Sequence, residues 1–185
     1  MTNLTLTTDR LTMRPITLQD APAIFSYRSD AVVNRYQGWI PEDLADVISF
    51  IQNRVSPEFD DPDTWFQFVI ILKENNEVIG DLGIHFHAEQ FDEVELGITL
   101  NAFHQQKGFA AEALQRIIQF LFSDCAKQKI TASIDPGNTA SIRLFERLGF
   151  CLKAHIRNSA FINNEWVHDL IYEFAKEDLS EQTIK

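Results

Sequence analysis

The sequence has little cysteine and no long apolar run. Its two cysteines, Cys125 and Cys151, form no CxxC pair, and no histidine or cysteine lies near them at metal-ligand spacing, so we expect ordinary thiols. The longest unbroken apolar run, 68–72, is far too short to span a bilayer, and the amino terminus lacks an apolar signal core. We therefore expect a cytoplasmic protein that does not contact a membrane.

Positive charge is also scarce. The chain has 16 basic and 27 acidic side chains, which gives a formal net charge of -11. This balance argues against a general phosphate-binding surface and against direct binding of nucleic acid. Cationic or amine-bearing partners fit it better, although an acidic surface also serves solubility alone.

The size and composition are those of one globular domain. The chain has 185 residues, of which 45% are hydrophobic and 23% charged, values far from those of disordered proteins. No repeat, low-complexity tract or linker divides it. We therefore expect residues 1–185 to form a single domain.

Apolar periodicity predicts a mixed α and β structure. A strand over 4–16 precedes two helices, the first capped by Thr17 and the second beginning at Pro41. The aromatic segment 36–39 between them is interpreted as a packed turn, with a wall of an acceptor pocket as the alternative. Further strands are predicted over 65–72, 78–87, 94–100, 129–134, 150–156 and 167–174, and further helices over 108–122 and 138–148.

The loop 103–110 joins a strand directly to a helix. Such a junction presents free backbone N–H groups at the positive end of the helix dipole, which suits a phosphate group. Gly108 lets the backbone approach an anion, Ala110 keeps the entrance small and Lys107 adds positive charge. A simple turn glycine is the alternative interpretation.

A second strand-to-helix loop spans 135–141. The carboxyl ends of neighbouring parallel strands face the same side of a sheet, so both loops are expected to line one cleft. Asn138 is interpreted either as a functional amide or as a helix N-cap, and Ser141 either as a functional hydroxyl or as an exposed one.

Four motifs occur in the order that a known family shows. They are the opening TDRLTMRP of 8–15, the strands VIGDLG and ELGI of 78–83 and 95–98, the Q-x-x-G-x-A loop of 105–110, and D-P-x-N-x-x-S of 135–141 followed by Leu148-Gly149-Phe150. With these the chain resembles the GNAT acetyltransferase superfamily, and within it the ribosomal-protein N-terminal acetyltransferase (RimJ/RimL-like) branch. The resemblance covers nearly the whole length.

The resemblance implies an α+β fold and a coenzyme site. The expected mixed, mostly antiparallel sheet is splayed between its fourth and fifth strands, has helices on both faces, and holds acetyl-CoA in the gap. The diphosphate would lie on Gln105, Gln106, Lys107, Gly108, Phe109 and Ala110, and the pantetheine arm would pair with the backbone of Ile98 and Leu100, with Asn138 opposite and Phe145 beside it. The branch usually has glycine where Gln106 stands.

The resemblance also implies the catalytic groups. Many GNAT enzymes carry a tyrosine that protonates the leaving thiolate, but Phe145 occupies that position here, and the branch implies that Ser141 takes over the role. For the proton of the attacking amine, Glu95 is the first candidate because it lies on the strand that would carry the reacting carbonyl. His85 and His87 share a strand face but lack an identifiable third ligand, so no metal is expected.

These features predict transfer of acetyl from acetyl-CoA to an amine, with the α-amine of a ribosomal or other protein N-terminus as the first choice of acceptor. A polyamine, an amino acid or an antibiotic is the alternative acceptor. A sensor that binds acetyl-CoA without turnover is the alternative from another class. Association into a homodimer is left open.

Overall fold

The structure, a computed structural model, describes residues 4–162 and 165–179. Within these residues the strands form one eight-stranded sheet in the order β1-β2-β3-β4-β5-β6-β8-β7. Their bounds are β1 Leu6–Thr7, β2 Leu11–Pro15, β3 Thr64–Leu72, β4 Glu77–Phe86, β5 Glu93–Leu100, β6 Lys129–Ile134, β7 Cys151–Ile162 and β8 Glu165–Ala175. All neighbours are antiparallel except β5 and β6, which are parallel.

Four α-helices accompany the sheet in the described part of the chain. They are α1 Ala21–Arg28, α2 Leu44–Asn53, α3 Phe109–Ser123 and α4 Thr139–Arg147, with short 3-10 turns at Leu18–Asp20 and Ala102–His104. None of the helices among these residues is both long and apolar enough to cross a membrane.

The amino-terminal segment is a hairpin and not the single strand expected over 4–16. β1 and β2 pair antiparallel, with Leu6 opposite Met13. The chain reverses because the Thr8 hydroxyl oxygen accepts the backbone N–H of Leu11 at 2.9 Å, while the backbone N–H of Thr8 donates to the carbonyl of Leu11 at 3.0 Å. These local bonds compete with an extended backbone and turn the chain.

Acidic side chains determine where the first two helices begin. Asp20 accepts the backbone N–H of Thr17 at 2.8 Å and two N–H groups of Arg14, so the capping role of Thr17 is fulfilled through Asp20. Burial opposes the charge of Asp20, but these bonds outweigh it and lower the pKa of the carboxyl. The second helix begins at Leu44 and not at Pro41, because Asp43 accepts the backbone N–H of Asp46 and caps it there.

The sheet separates two hydrophobic clusters. Successive residues of β3 point to opposite faces, so Phe68 and Ile70 join the larger cluster with α3 and α4, while Val69 packs with α1 and α2 on the other side. This arrangement confirms helices on both faces. Asp81 of β4, fully buried, accepts Tyr27 Oη at 2.7 Å and the guanidinium of Arg28, which fixes α1 to the sheet.

β5 and β6 separate in the middle of the sheet. They pair only from Glu93 to Glu95, although β5 continues to Leu100 in register with β4. At the closed end, Lys129 Nζ lies 2.5 Å from a carboxylate oxygen of Glu93 and 3.7 Å from one of Glu173. The expected splay between the fourth and fifth predicted strands is therefore confirmed as the gap between β5 and β6.

Candidate active site

The loop before α3 has the backbone expected of an anion cradle. Gln106 and Gly108 both adopt positive φ angles, of 60° and 83°, so the chain curls before the helix begins at Phe109. A residue with a Cβ is strained at such φ angles, so the backbone of Gln106 is strained here. Gln105 Nε2 donates to the carbonyl of Leu100 at 3.0 Å, which joins the loop to the end of β5.

Arg10 supports this loop from a distant part of the chain. Its Nη1 donates to the carbonyl of Lys107 at 3.1 Å, and its guanidinium lies 4.4 Å from the centre of the Phe109 ring. Glu112 holds Arg10 by accepting Nε at 2.6 Å, and it also accepts the hydroxyl of Thr8. Burial opposes the charge of Glu112, but these donors outweigh it and lower the pKa of its carboxyl. Sequence reasoning missed this contact because the partners lie about a hundred positions apart.

Asn138 is the N-cap of α4. Its side-chain oxygen accepts the backbone N–H of Ser141 at 3.2 Å, so this interpretation of Asn138 is confirmed. The preceding turn is shaped by Asp135, whose carboxylate accepts the backbone N–H of Gly137 at 2.6 Å. A Cβ at Gly137 would lie 3.1 Å from Cε1 of Tyr36, so the Tyr36 ring packs directly against this turn.

A cavity of about 220 Å³ occupies the gap between β5 and β6. It brings together five of the predicted site residues: Glu95, Ile98, Asn138, Ser141 and Phe145. Its other lining residues are Tyr36, Gln37, Gly38, Trp65, Leu96, Gly97, Ala132, Ser133, Ile134 and Asp135.

The two predicted loops do not both line this cavity. The loop 105–110 and Leu100 lie outside the lining, whereas the loop 135–141 contributes to it. After β5 the chain makes a 3-10 turn at Ala102–His104, and the loop 105–110 follows that turn.

Aromatic residues of the 36–39 segment divide between two roles. Trp39 stacks on Phe50 of α2 with ring centres 4.5 Å apart, as a packed turn would. Tyr36 lines the cavity between β5 and β6. Trp65 also lines the cavity but was not predicted as a site residue. The sequence signal for it is its position at the start of a predicted strand, beside a loop.

Glu95 is partly buried beside two histidines. His85 lies directly opposite it on β4, and His87 follows two residues later. Burial raises the pKa of Glu95; the nearby His87 opposes the rise and the negative charge of Asp169 adds to it. Burial, together with His87, lowers the pKa of His85. The group is therefore a compact set of titratable side chains at the closed end of the gap.

Phe145 and Ser141 face the cavity from α4, one helical turn apart. The Phe145 ring is buried and meets Phe150 edge to face, with ring centres 4.9 Å apart. Ser141 is partly buried. Both cysteines are free and neither is in the cavity lining, and burial raises the pKa of Cys125 to about 11.

The sheet thus parts between its two parallel strands, and the loop that caps α4 lies beside the gap. The chain belongs to the GNAT acetyltransferase family: residues 10–151 match the family described as acetyltransferase (GNAT) domain. The chain is 36% identical to the uncharacterized N-acetyltransferase p20 of Bacillus licheniformis over 157 residues, which cover 83% of this chain and 86% of that one. It is therefore an N-acetyltransferase that uses acetyl-CoA as cosubstrate.

Solved structures share the fold. An acetyltransferase (GNAT family) from Bacillus anthracis superposes with a TM-score of 0.83 at 24% identity, covering 94% of this chain and 99% of that one. The spermidine N-acetyltransferase of Vibrio cholerae, in complex with CoA and spermine, gives 0.74 at 18%, covering 92% and 98%. The ribosomal-protein-S5-alanine acetyltransferase of Vibrio fischeri gives 0.69 at 20%, covering 95% and 98%.

Proposed function

We propose that this enzyme, acting as one domain, acetylates the α-amino group of a protein N-terminus, as its resemblance to the ribosomal-protein branch implies. The observation that carries the proposal is the cavity between β5 and β6, which places Glu95 and Ser141 in one lining. A carboxylate and a hydroxyl are the two kinds of group that aminolysis of a thioester needs, one to accept a proton and one to donate it.

The coenzyme extends from the cradle into the gap. Its diphosphate contacts the backbone amides around Gly108, where the loop curls and α3 begins. Its pantetheine arm lies along Ile98 to Leu100 as an added strand, because the edge of β5 is free of β6 beyond Glu95. Asn138 faces the arm from the other side of the gap.

The reaction joins the amine nitrogen to the thioester carbonyl carbon and breaks the carbon–sulfur bond. The backbone N–H of Ile98 polarises the carbonyl oxygen. Glu95 accepts the proton that the attacking ammonium loses, directly or through water, and Ser141 donates a proton to the departing thiolate. Phe145 has no proton to give, so it serves as an apolar wall of the cavity.

The choice of an α-amine follows from its proton affinity. An α-amino group has a reference pKa of about 7.7–8.0 and a lysine side chain one of about 10.4, so near neutral pH the α-amine is roughly a hundredfold or more richer in the reactive neutral form. A single carboxylate then suffices as base. Among the structural neighbours, the ribosomal-protein-S5-alanine enzyme supports this acceptor, whereas the spermidine enzyme supports a small polyamine.

Competition between three acceptors tests the proposal. The acceptors are a lysine-free peptide with a free N-terminus, an N-terminally blocked peptide with one lysine, and spermidine, each followed by thiol release from acetyl-CoA. We expect the free N-terminus to react fastest. Faster turnover of spermidine would assign the enzyme to small polyamines, and coenzyme binding without transfer to any amine of a cell lysate would identify a sensor.

A further inference from the structure

Three potential metal ligands meet across two neighbouring strands. His85 lies on β4, His87 comes directly after the last residue of that strand, and Glu95 lies on β5 directly opposite His85. Residues two apart on a strand, and residues opposite each other in an antiparallel pair, point to the same face of the sheet. As a result, one ligand atom from each of the three side chains lies within 4.8 Å of the others.

His87 has a ring nitrogen that forms no hydrogen bond within the part of the chain that the structure describes. This atom, Nε2, is buried. A buried polar atom without a partner is unfavourable, and a bound cation would satisfy it. The His85 ring meets that of His87 edge to face with centres 4.8 Å apart, and it stacks on Trp65 at 5.0 Å, so the imidazoles are held in place by their neighbours.

The charges around the cluster also favour a cation. Asp63 Oδ1 lies 3.9 Å from Nε2 of His85, so its negative charge adds to that of Glu95 beside the two imidazoles.

Two imidazoles and one carboxylate form a ligand set that zinc uses in sites with an open fourth position. With bonds of about 2.0–2.1 Å, the ligand atoms of a tetrahedral site lie roughly 3.3 Å apart. The spacing in this cluster is wider by roughly 1.5 Å at most, a distance that side-chain rotation can close while the paired strands keep their register.

We propose that His85, His87 and Glu95 bind one divalent ion of the zinc class, with the fourth position open to the cavity. Because Glu95 lines that cavity, a bound ion would lie at the closed end of the gap, where the acceptor amine is proposed to react. Zinc should then inhibit acetyl transfer by withholding the Glu95 carboxylate. The inhibition rests on the role proposed above for Glu95, but the binding of the ion does not.

Calorimetry of the tag-free full chain with zinc chloride, after removal of metal by a chelator, tests the site without any catalytic step. We expect one ion per chain, and binding weakened roughly 100-fold or more in both His87→Asn and Glu95→Gln. His155→Asn is the matched control, since His155 faces His168 in the hairpin of β7 and β8, far in sequence from the cluster. This variant should bind zinc as the wild type does.

Cobalt substitution gives a second readout. Co²⁺ in the wild-type site should show the strong visible absorption of a four-coordinate ion, and this absorption should be absent from the Glu95→Gln variant. Because Glu95→Gln preserves the size of the side chain, it keeps the test available if His87→Asn fails to fold. No binding by the wild type, or equal loss in the His155→Asn control, would overturn the proposal. Zinc binding without inhibition would keep the metal site and refute the role of Glu95 in transfer.

Discussion

The side-chain oxygen of Asn138 accepts the backbone N–H of Ser141 at 3.2 Å, so the residue proposed to anchor the pantetheine arm also starts the helix that carries the proposed acid. One side chain thus has two tasks with different chemical requirements. The cap needs an acceptor for an N–H group, whereas a contact with a carbonyl of the arm needs the amide NH₂ as donor.

Substitutions at Asn138 separate the two tasks. Asn138→Asp keeps an acceptor at the helix N-terminus and removes the donor, so we expect unchanged thermal stability and roughly tenfold weaker binding of coenzyme A. Asn138→Ala removes both and should also cost about 1 kcal/mol of stability. Thermal unfolding and calorimetry measure the two effects. Wild-type affinity in the Asp variant would remove Asn138 from the coenzyme site.

Ser141→Ala tests the protonation of the leaving thiolate. We expect turnover to fall by roughly 10²–10⁴-fold while the affinity for coenzyme A stays nearly constant, because the hydroxyl acts only as sulfur departs. Steady-state kinetics and calorimetry on the same preparation give both numbers. Adding Phe145→Tyr to this variant restores a proton donor one turn away on the same cavity wall and should recover part of the rate. Normal turnover in Ser141→Ala would exclude this mechanism.

Local sequence signals predicted the elements around the gap well. The strand predicted over 129–134 has those bounds in the structure, and Gly149, just after the helix predicted over 138–148, has the positive φ of 96° that suits a left-handed cap. The strand follows from short-range periodicity, and the helix end follows from the conformational freedom of one glycine. The amino-terminal hairpin was missed because its turn depends on hydrogen bonds from Thr8, which interrupt a pattern that still alternates as one long strand does.

Contacts between distant parts of the chain could not be predicted in the same way. The cross-strand register that brings Glu95 opposite His85 is fixed by how β4 and β5 pair, and a shift by one residue would send one of them to the other face. For this reason Glu95 could not be recognised from the sequence as the third member of the histidine cluster. The contact of Arg10 with the loop 105–110 likewise exists only because the fold brings β2 beside α3.

Asp20 should make the stability of the enzyme depend on acid pH. Its pKa is lowered in the folded protein, so its contribution is complete above the reference value of about 3.9 and is lost as pH falls through the folded pKa. Asp20→Asn should therefore cost about 1 kcal/mol near neutral pH, where the ion pair with Arg14 is intact, and much less at a pH below the folded pKa of Asp20. Urea unfolding at both pH values measures the difference. An equal loss at both values would show that the charge of Asp20 contributes nothing.

The left-handed backbone at Gln106 predicts that a glycine substitution in this loop raises the stability of the protein. A φ of 60° strains any residue with a Cβ, by about 1 kcal/mol, and glycine relieves that strain at some cost in the entropy of the unfolded chain. We expect Gln106→Gly to raise the free energy of unfolding by up to about 1 kcal/mol and to bind coenzyme A at least as tightly as the wild type, because the amides of the cradle keep their directions. Gln106→Val, whose branched side chain tolerates this conformation least, should lower both stability and affinity. Urea unfolding and calorimetry on the pair provide the comparison. If the valine variant bound coenzyme A as tightly as the glycine variant, the shape of this loop would not control coenzyme binding, and the contacts to the diphosphate would have to lie elsewhere along the path.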